Sequence, residues 1–305
     1  MRGYSHATSG AAGWLALTSA STVALDWASV APPVALAGAV LAAGAALAPD
    51  CDHPSGTIAW SLPTVQVFGV PLIPSPTRLL CKGVSAVSGG HRHGTHSIIG
   101  IAAFTGLTWA AARVTVPIAS HTISLATIIA VLLAAFALKA FGVSKDLGRD
   151  LTRGTRGGRG LLDSLIEAVG ALVGFVLRTW LGSWLLAVGG IAVLTVHYEW
   201  QWTWLWLPML IGCTLHVIGD SLTTGGVPWL WPLNPKPPRW LRKVPLLRRV
   251  WRSNGYFGFP ILGDTDEEAT IWSREGLMTL ALGAYALYLT AWQTLALVGK
   301  ARLLY

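Results

Sequence analysis

Long apolar runs dominate the chain: Ala11–Leu25, Val34–Leu47, Ile98–Val116, Ile123–Phe141, Leu181–Val196, Trp202–Ile218 and Gly276–Val298. A bilayer core about 30 Å thick needs about 20 helical residues to cross. The runs approach that length. They therefore predict an all-α, polytopic integral membrane protein with about seven transmembrane helices and cytoplasmic interfacial loops. Composition agrees, since only 12% of residues are charged against about 25% in soluble domains.

Arg2 and the alanine-rich stretch after it have the outline of a signal peptide. Asp26, Trp27 and the second apolar run that follows at once fit a cleavage site poorly, so the segment is expected to stay as a span. Cys51, Cys81 and Cys213 form no CxxC pair and no even-numbered framework. Neither a disulfide scaffold nor a thiolate zinc finger is indicated.

The distribution of charge orients the spans. Residues 142–163 carry five Lys or Arg and residues 221–275 carry eight. Basic loops are retained in the cytoplasm. Each crossing changes sides, so a walk outward from these loops puts the N-terminus, the segment 54–96 and residues 220–275 inside, and the C-terminus outside. The expected location is the cell's inner or plasma membrane. Residues 164–196 are long for one helix and short for two. The preferred reading has 164 to about 178 on the surface, followed by one crossing.

Three regions are expected: a membrane-embedded domain over 1–235 with the basic insertion 142–163, a basic Pro- and Trp-rich interfacial segment over 236–275, and a C-terminal transmembrane helix within 276–305. In the second, Trp240, Val244, Leu247 and Trp251 recur at helical spacing among Arg242, Lys243, Arg248, Arg249 and Arg252, with Pro245 restarting any helix. Such a face suits anionic lipid headgroups, the expected partners. No nucleic-acid recognition motif accompanies the charge, and no nucleic-acid partner is expected.

Four polar clusters then fall at the cytoplasmic ends of different spans. They are His6; Asp50, Asp52 and His53 in "PDCDHP"; His91, His93 and His96 in "GGHRHGTHS"; and His216 with Asp220, four apart on one helix face. Singly each has an ordinary reading as a turn, a helix cap, a local hydrogen-bonded pair or a solvated patch. Together on one side, they supply the imidazole and carboxylate donors of zinc and related ions. There are more donors than one tetrahedral ion can use, which admits two ions, or one ion with supporting carboxylates. His121 and His197 fall at the opposite ends and are read as structural.

"PDCDHP", "GHRHGTHS" and "HVIGDSLTTGGVPWLWP", in this order with apolar spans between them, resemble the YdjM-like membrane-bound metal-dependent hydrolases. That group includes a LexA-regulated, SOS-induced inner-membrane protein. The resemblance covers residues 1 to about 235. It matches an early histidine at His6, Asp-x-Asp-His at Asp50, Asp52 and His53, His-Arg-x-x-Thr-His-Ser at His91, Arg92, Thr95, His96 and Ser97, and His-x-x-x-Asp at His216 and Asp220. His93 and Gly94 stand where a glycine followed by an aromatic residue is usual, so His93 is left out of the ligand set.

The resemblance implies a divalent-metal hydrolase, with zinc the leading ion, one or two of them, and manganese or another ion the alternative. The candidate ligands are His6, Asp50, Asp52, His53, His91, His96, His216 and Asp220. Asp52, Arg92 and Thr95 are the candidate catalytic residues, the last two for an anionic group or developing charge. The expected reaction is hydrolysis of an ester or phosphoester in a lipid or another anionic substrate. The alternatives are a non-enzymatic metal-binding or metal-transporting protein and a purely structural metal. Candidate ligands at one interface, with spans largely free of charge, favour hydrolysis over transport.

Overall fold

A computed structural model of the chain describes residues 1–23, 30–67, 70–118, 120–143, 179–263 and 273–302. The basic insertion, apart from its first two residues, and the surface segment expected over 164–178 lie outside the described residues. Seven helices correspond to the seven apolar runs: α1 (Gly3–Val23), α2 (Pro32–Ala45), α4 (Ile98–Ala111), α5 (Ala126–Val143), α6 (Trp180–Ala192), α7 (Trp206–Ser221) and α9 (Arg274–Arg302). Between them lie α3 (Pro76–Ser88) and the one-turn helix α8 (Pro245–Val250).

Three stretches are long and apolar enough to cross a membrane: Pro32–Asp52, Trp180–His197 and Trp202–Ser221. Ile98–Ala111 and Ala126–Gly142 are shorter apolar helices. At 1.5 Å per residue, α4 extends only about 21 Å. The run predicted as helix over Ile98–Val116 stops early, ahead of the β-branched Val114, Thr115 and Val116 and of Pro117. Thr115–Ile118 (β3) and His121–Ser124 (β4) pair as an antiparallel hairpin instead, with Val116 opposite Ile123. A second small hairpin joins Val65–Val67 (β1) to Val70–Ile73 (β2). Among the described residues these hairpins, with a few isolated bridges in 223–263, are the departures from an all-α chain.

α2 is the central element, in contact with α1, α5, α7 and α9. Its sequence, PPVALAGAVLAAGA, is nearly all small residues, which let backbones approach closely where lipid offers no hydrophobic drive between helices. A Cβ on Gly44 would run into the Leu133 backbone of α5, and one on Gly212 of α7 would sit 2.6 Å from the Ala42 carbonyl oxygen. Trp14 of α1 fills the space over Gly38 and donates from Nε1 to the Ala35 carbonyl at 2.8 Å. By contrast α6 lies at the edge, with Leu181, Leu185, Leu186 and Val188 facing outward.

Alternating direction brings the starts of α1, α4 and α9 to the same end of the bundle as the ends of α2 and α7. At that end α2 continues into a 3-10 turn, Ala48–Asp52, and the loop before α4 closes in another, Gly94–His96. Residues 222–263 fold over the same end as a largely irregular cap. Val227 and Phe257 exchange both backbone hydrogen bonds at 2.9 Å, and the Phe259 amide donates to the Ser221 carbonyl. Pro245 does restart a helix, as its ring requires. Trp251, however, turns inward to stack on Phe257 and donate to the Pro235 carbonyl, so the tryptophans share no single surface face.

Candidate metal centre

The four clusters, distant in sequence, meet at this end. His6 belongs to the second turn of α1, which begins earlier than its apolar run. Asp50 and Asp52 sit on the 3-10 turn after α2, His91 and His96 flank the loop into α4, and His216 and Asp220 share one face of α7. Three overlapping groups have ligand atoms mutually within 4.8 Å: Asp50, Asp52, His91 and His96; His6, Asp50 and His216; and His96, His216 and Asp220. His53 is in none of them. Its Nδ1 faces the Ser55 amide and hydroxyl at 3.3 and 3.2 Å, and its ring meets the His91 ring edge-on.

Tight backbone geometry builds the loop. Arg92 has φ 59°, in the left-handed region that costs a non-glycine residue about 1–2 kcal/mol. The turn lets its amide donate to Asp52 Oδ2 at 3.2 Å while its Nε reaches to 3.4 Å from Asp220 Oδ2. Ser97 caps α4, accepting from the Gly100 amide and donating to the Gly94 carbonyl at 2.6 Å. His93 is drawn away from the cluster, with Nδ1 at the His91 carbonyl and Nε2 at 3.3 Å from the Tyr256 hydroxyl of the cap.

The innermost donors converge on one another. His216 Nδ1 lies 2.6 Å from the Ala46 carbonyl, so it carries the proton and leaves the Nε2 lone pair pointing inward. That Nε2 is 3.1 Å from His96 Nε2, 3.6 Å from Asp50 Oδ1 and 3.8 Å from Asp220 Oδ2. His96 Nε2 lies 3.5 Å from Asp50 Oδ1 and 3.6 Å from Asp220 Oδ2. Donors arranged tetrahedrally at about 2.0–2.2 Å from one ion stand roughly 3.3–3.6 Å apart. The pair of imidazoles thus stands at the spacing of ligands to a divalent ion both from Asp50 and from Asp220.

His6 adds a second sign. Its ring stacks on His216 at 3.7 Å between centroids, fully buried, and neither ring nitrogen has a hydrogen-bond partner, although Nε2 is 3.2 Å from Asp220 Oδ1. Leaving such atoms buried costs about 1–3 kcal/mol, a cost that a bound cation would remove. The Met1 amine also contacts Asp220 Oδ1, at 2.6 Å.

Asp52 plays a different part. It is fully buried and already accepts from His91 Nδ1 at 2.8 Å, the Arg92 amide, and Thr95 Oγ1 at 2.5 Å. It fixes the His91 ring, and the Thr95 hydroxyl that it holds lies 3.0 Å from His96 Nδ1. With its proton given to Asp52, Thr95 has no donor left for a substrate, whereas Arg92 is partly exposed and its guanidinium has donors to spare. Burial opposes charge on His96, yet contacts with Asp50 and Asp52 and the nearby Asp220 push it up to about 9. The pocket is strongly cation-attracting.

The centre opens to solvent along Asp50, His91 and Arg92, which are 23%, 34% and 22% exposed. Arg252 stood in the sequence only as one member of the basic face, and its place beside Arg92 at this opening carried no signal of its own; the nearest was the Gly225–Gly226 pair within the motif that follows His216. Comparison with curated proteins and with solved structures finds no match. The family model described as YdjM inner membrane protein matches residues 1–298. The match runs through the basic tail and the last helix, beyond the limit of about residue 235 drawn from the motifs. The chain belongs to the YdjM inner membrane protein family.

Proposed function

We propose that this chain is a membrane-bound metal-dependent hydrolase acting on an ester or phosphoester at the cytoplasmic membrane interface. The observation that carries the reading is that His96 Nε2 and His216 Nε2 lie 3.1 Å apart and each stands 3.5–3.8 Å from Asp50 Oδ1 and from Asp220 Oδ2, the spacing of ligands around a divalent ion. Zinc is the ion best suited to this mixture of imidazole and carboxylate donors. His6 on one side and His91 on the other offer donors for a second. When bound, such an ion supplies Lewis acidity and a water of lowered pKa.

The chain's own residues do the rest. The Ala46 carbonyl and the Asp52–Thr95 pair orient His216 and His96, fixing which nitrogen points inward. Arg92, at the open side, holds the anionic group of the substrate and the charge that develops on it. Seven crossings, with the centre and the N-terminus inside, follow from the basic loops.

Metal analysis by mass spectrometry on detergent-purified protein tests the reading, beside a folded, monodisperse His96→Ala/His216→Ala variant. Stoichiometric metal in the wild type and none in the variant, with metal-dependent hydrolysis of phosphoesters or lipid esters, is the expected result. Bound metal with no turnover across such a panel would favour a metal-binding role instead. Negligible metal in both, after reconstitution with a panel of ions, would end the hydrolase reading.

A further inference from the structure

Two cavities flank the cap beside the metal centre, and their chemistry is opposite. One, of about 490 Å³, is lined by Arg248, Arg252, Ser253 and Asn254. The other, of about 480 Å³, is a groove of apolar side chains at the ends of α4 and α7, lined by Ile98, Ile218, Leu222, Trp229, Leu230 and Phe259 together with Ser221 and Phe257. The cap side of the groove is stitched to the helix ends. The Ile98 amide donates to the Trp229 carbonyl at 3.0 Å, and Trp229 Nε1 donates to Ser221 Oγ at 2.9 Å.

Two guanidinium groups meet between the centre and the cap. Arg252 Nη1 donates to the Gly225 carbonyl at 2.9 Å, and Arg92 Nη1 occupies the space that a Cβ on Gly225 would need. Arg92 also leans on Asp220, while among the described residues no carboxylate pairs with Arg252. Two like charges brought together this way are stabilised by an anion, and the fork of each matches phosphate oxygens. Gly225 is the residue that admits them.

We infer that the site takes an anionic amphiphile of the phospholipid class, its phosphoryl group between Arg92 and Arg252 and its hydrocarbon chain in the groove of Ile98, Ile218, Leu222, Trp229, Leu230 and Phe259. The inference rests on the hydrolase reading and narrows its substrate. A soluble phosphate would use the arginines and leave the groove idle; a neutral lipid would do the reverse. Gly258, between the groove residues Phe257 and Phe259, has Arg252 Nη2 3.4 Å from its Cβ position, so the arginine pair and the groove share one strip of the cap and select the molecule that has both parts.

The test measures binding of dihexanoyl phosphatidic acid, inorganic phosphate and dihexanoylglycerol to the full chain in neutral detergent. Phosphatidic acid is expected to bind about tenfold or more tighter than either fragment, since a charge-assisted contact and a buried chain each contribute on that scale. Arg252→Gln should reduce phosphatidic acid to the level of dihexanoylglycerol while metal content stays unchanged. Leu230→Glu, at a half-exposed position and read on a variant that runs folded and monodisperse, should abolish the advantage of the chain and spare phosphate binding. Equal affinity for phosphate and phosphatidic acid, equal affinity for the neutral lipid, or indifference to both substitutions would overturn the inference. Tight lipid binding by a metal-loaded protein that hydrolyses no ester would instead retire the hydrolase reading and leave this one standing. Metal-dependent hydrolysis of bis(p-nitrophenyl) phosphate without lipid preference would do the opposite.

Discussion

The two inner imidazoles, His96 and His216, are each aimed by a group behind them, and this defines what single substitutions should do. Asp52 accepts three hydrogen bonds from the His91–Thr95 loop while lying next to the donor set. Asp52→Asn keeps its volume but loses an acceptor and the charge that orients His91 and Thr95. Metal affinity should fall about 10–100-fold, the usual cost of removing an outer orienting carboxylate, as read by competition with a chromogenic chelator. A ligand substitution at Asp220 should instead abolish activity, with little loss of folded protein on size exclusion. His121, on the β4 hairpin strand at the far end, touches none of these groups, and His121→Ala should leave metal content at the wild-type value.

At the scale of elements, the centre depends on how closely α2 approaches its neighbours. Gly44 lies against the Leu133 backbone, which cannot retreat as a flexible side chain would. Gly44→Leu should therefore separate α2 from α5, lowering the melting temperature in detergent by an overpacking cost of about 1–3 kcal/mol. Metal should be lost with it, because the Ala48–Asp52 turn continues directly from α2. Gly189 on α6 has nothing within 4 Å of its Cβ position. Gly189→Ala should be tolerated or slightly stabilising, by up to about 1 kcal/mol from helix propensity. The contrast in melting curves checks whether small residues in this bundle serve packing or only composition.

Over the whole molecule, alternating helices gather the polar residues at one end and leave the β3–β4 hairpin at the other. Sidedness follows from this arrangement. Asn254 in the cap and Ser120 in the hairpin are both exposed, and the native cysteines are all buried. Single cysteines placed at the two positions should react with a membrane-impermeant thiol reagent from opposite sides. Position 254 should be protected in intact cells and labelled after permeabilisation. Labelling of both in intact cells would refute the orientation drawn from the basic loops.

The sequence by itself determined the helical membrane character, the seven apolar elements and most members of the His and Asp cluster that could hold a metal. Length, hydropathy and residue type are local properties, and His6, Asp50, His96, His216 and Asp220 declared themselves by type and by falling at matching ends of spans. The tertiary structure alone decided how those residues divide their roles. Asp52 and Thr95 face inward as supports because the αL turn at Arg92 folds the loop onto them, His53 is turned toward Ser55, and His93 is drawn to Tyr256. It also decided that α4 would end ahead of a hairpin, and that Arg252, 160 positions from Arg92 in the chain, would meet it over Gly225. Such pairings depend on where a whole cap settles against helix ends, and no local pattern encodes that.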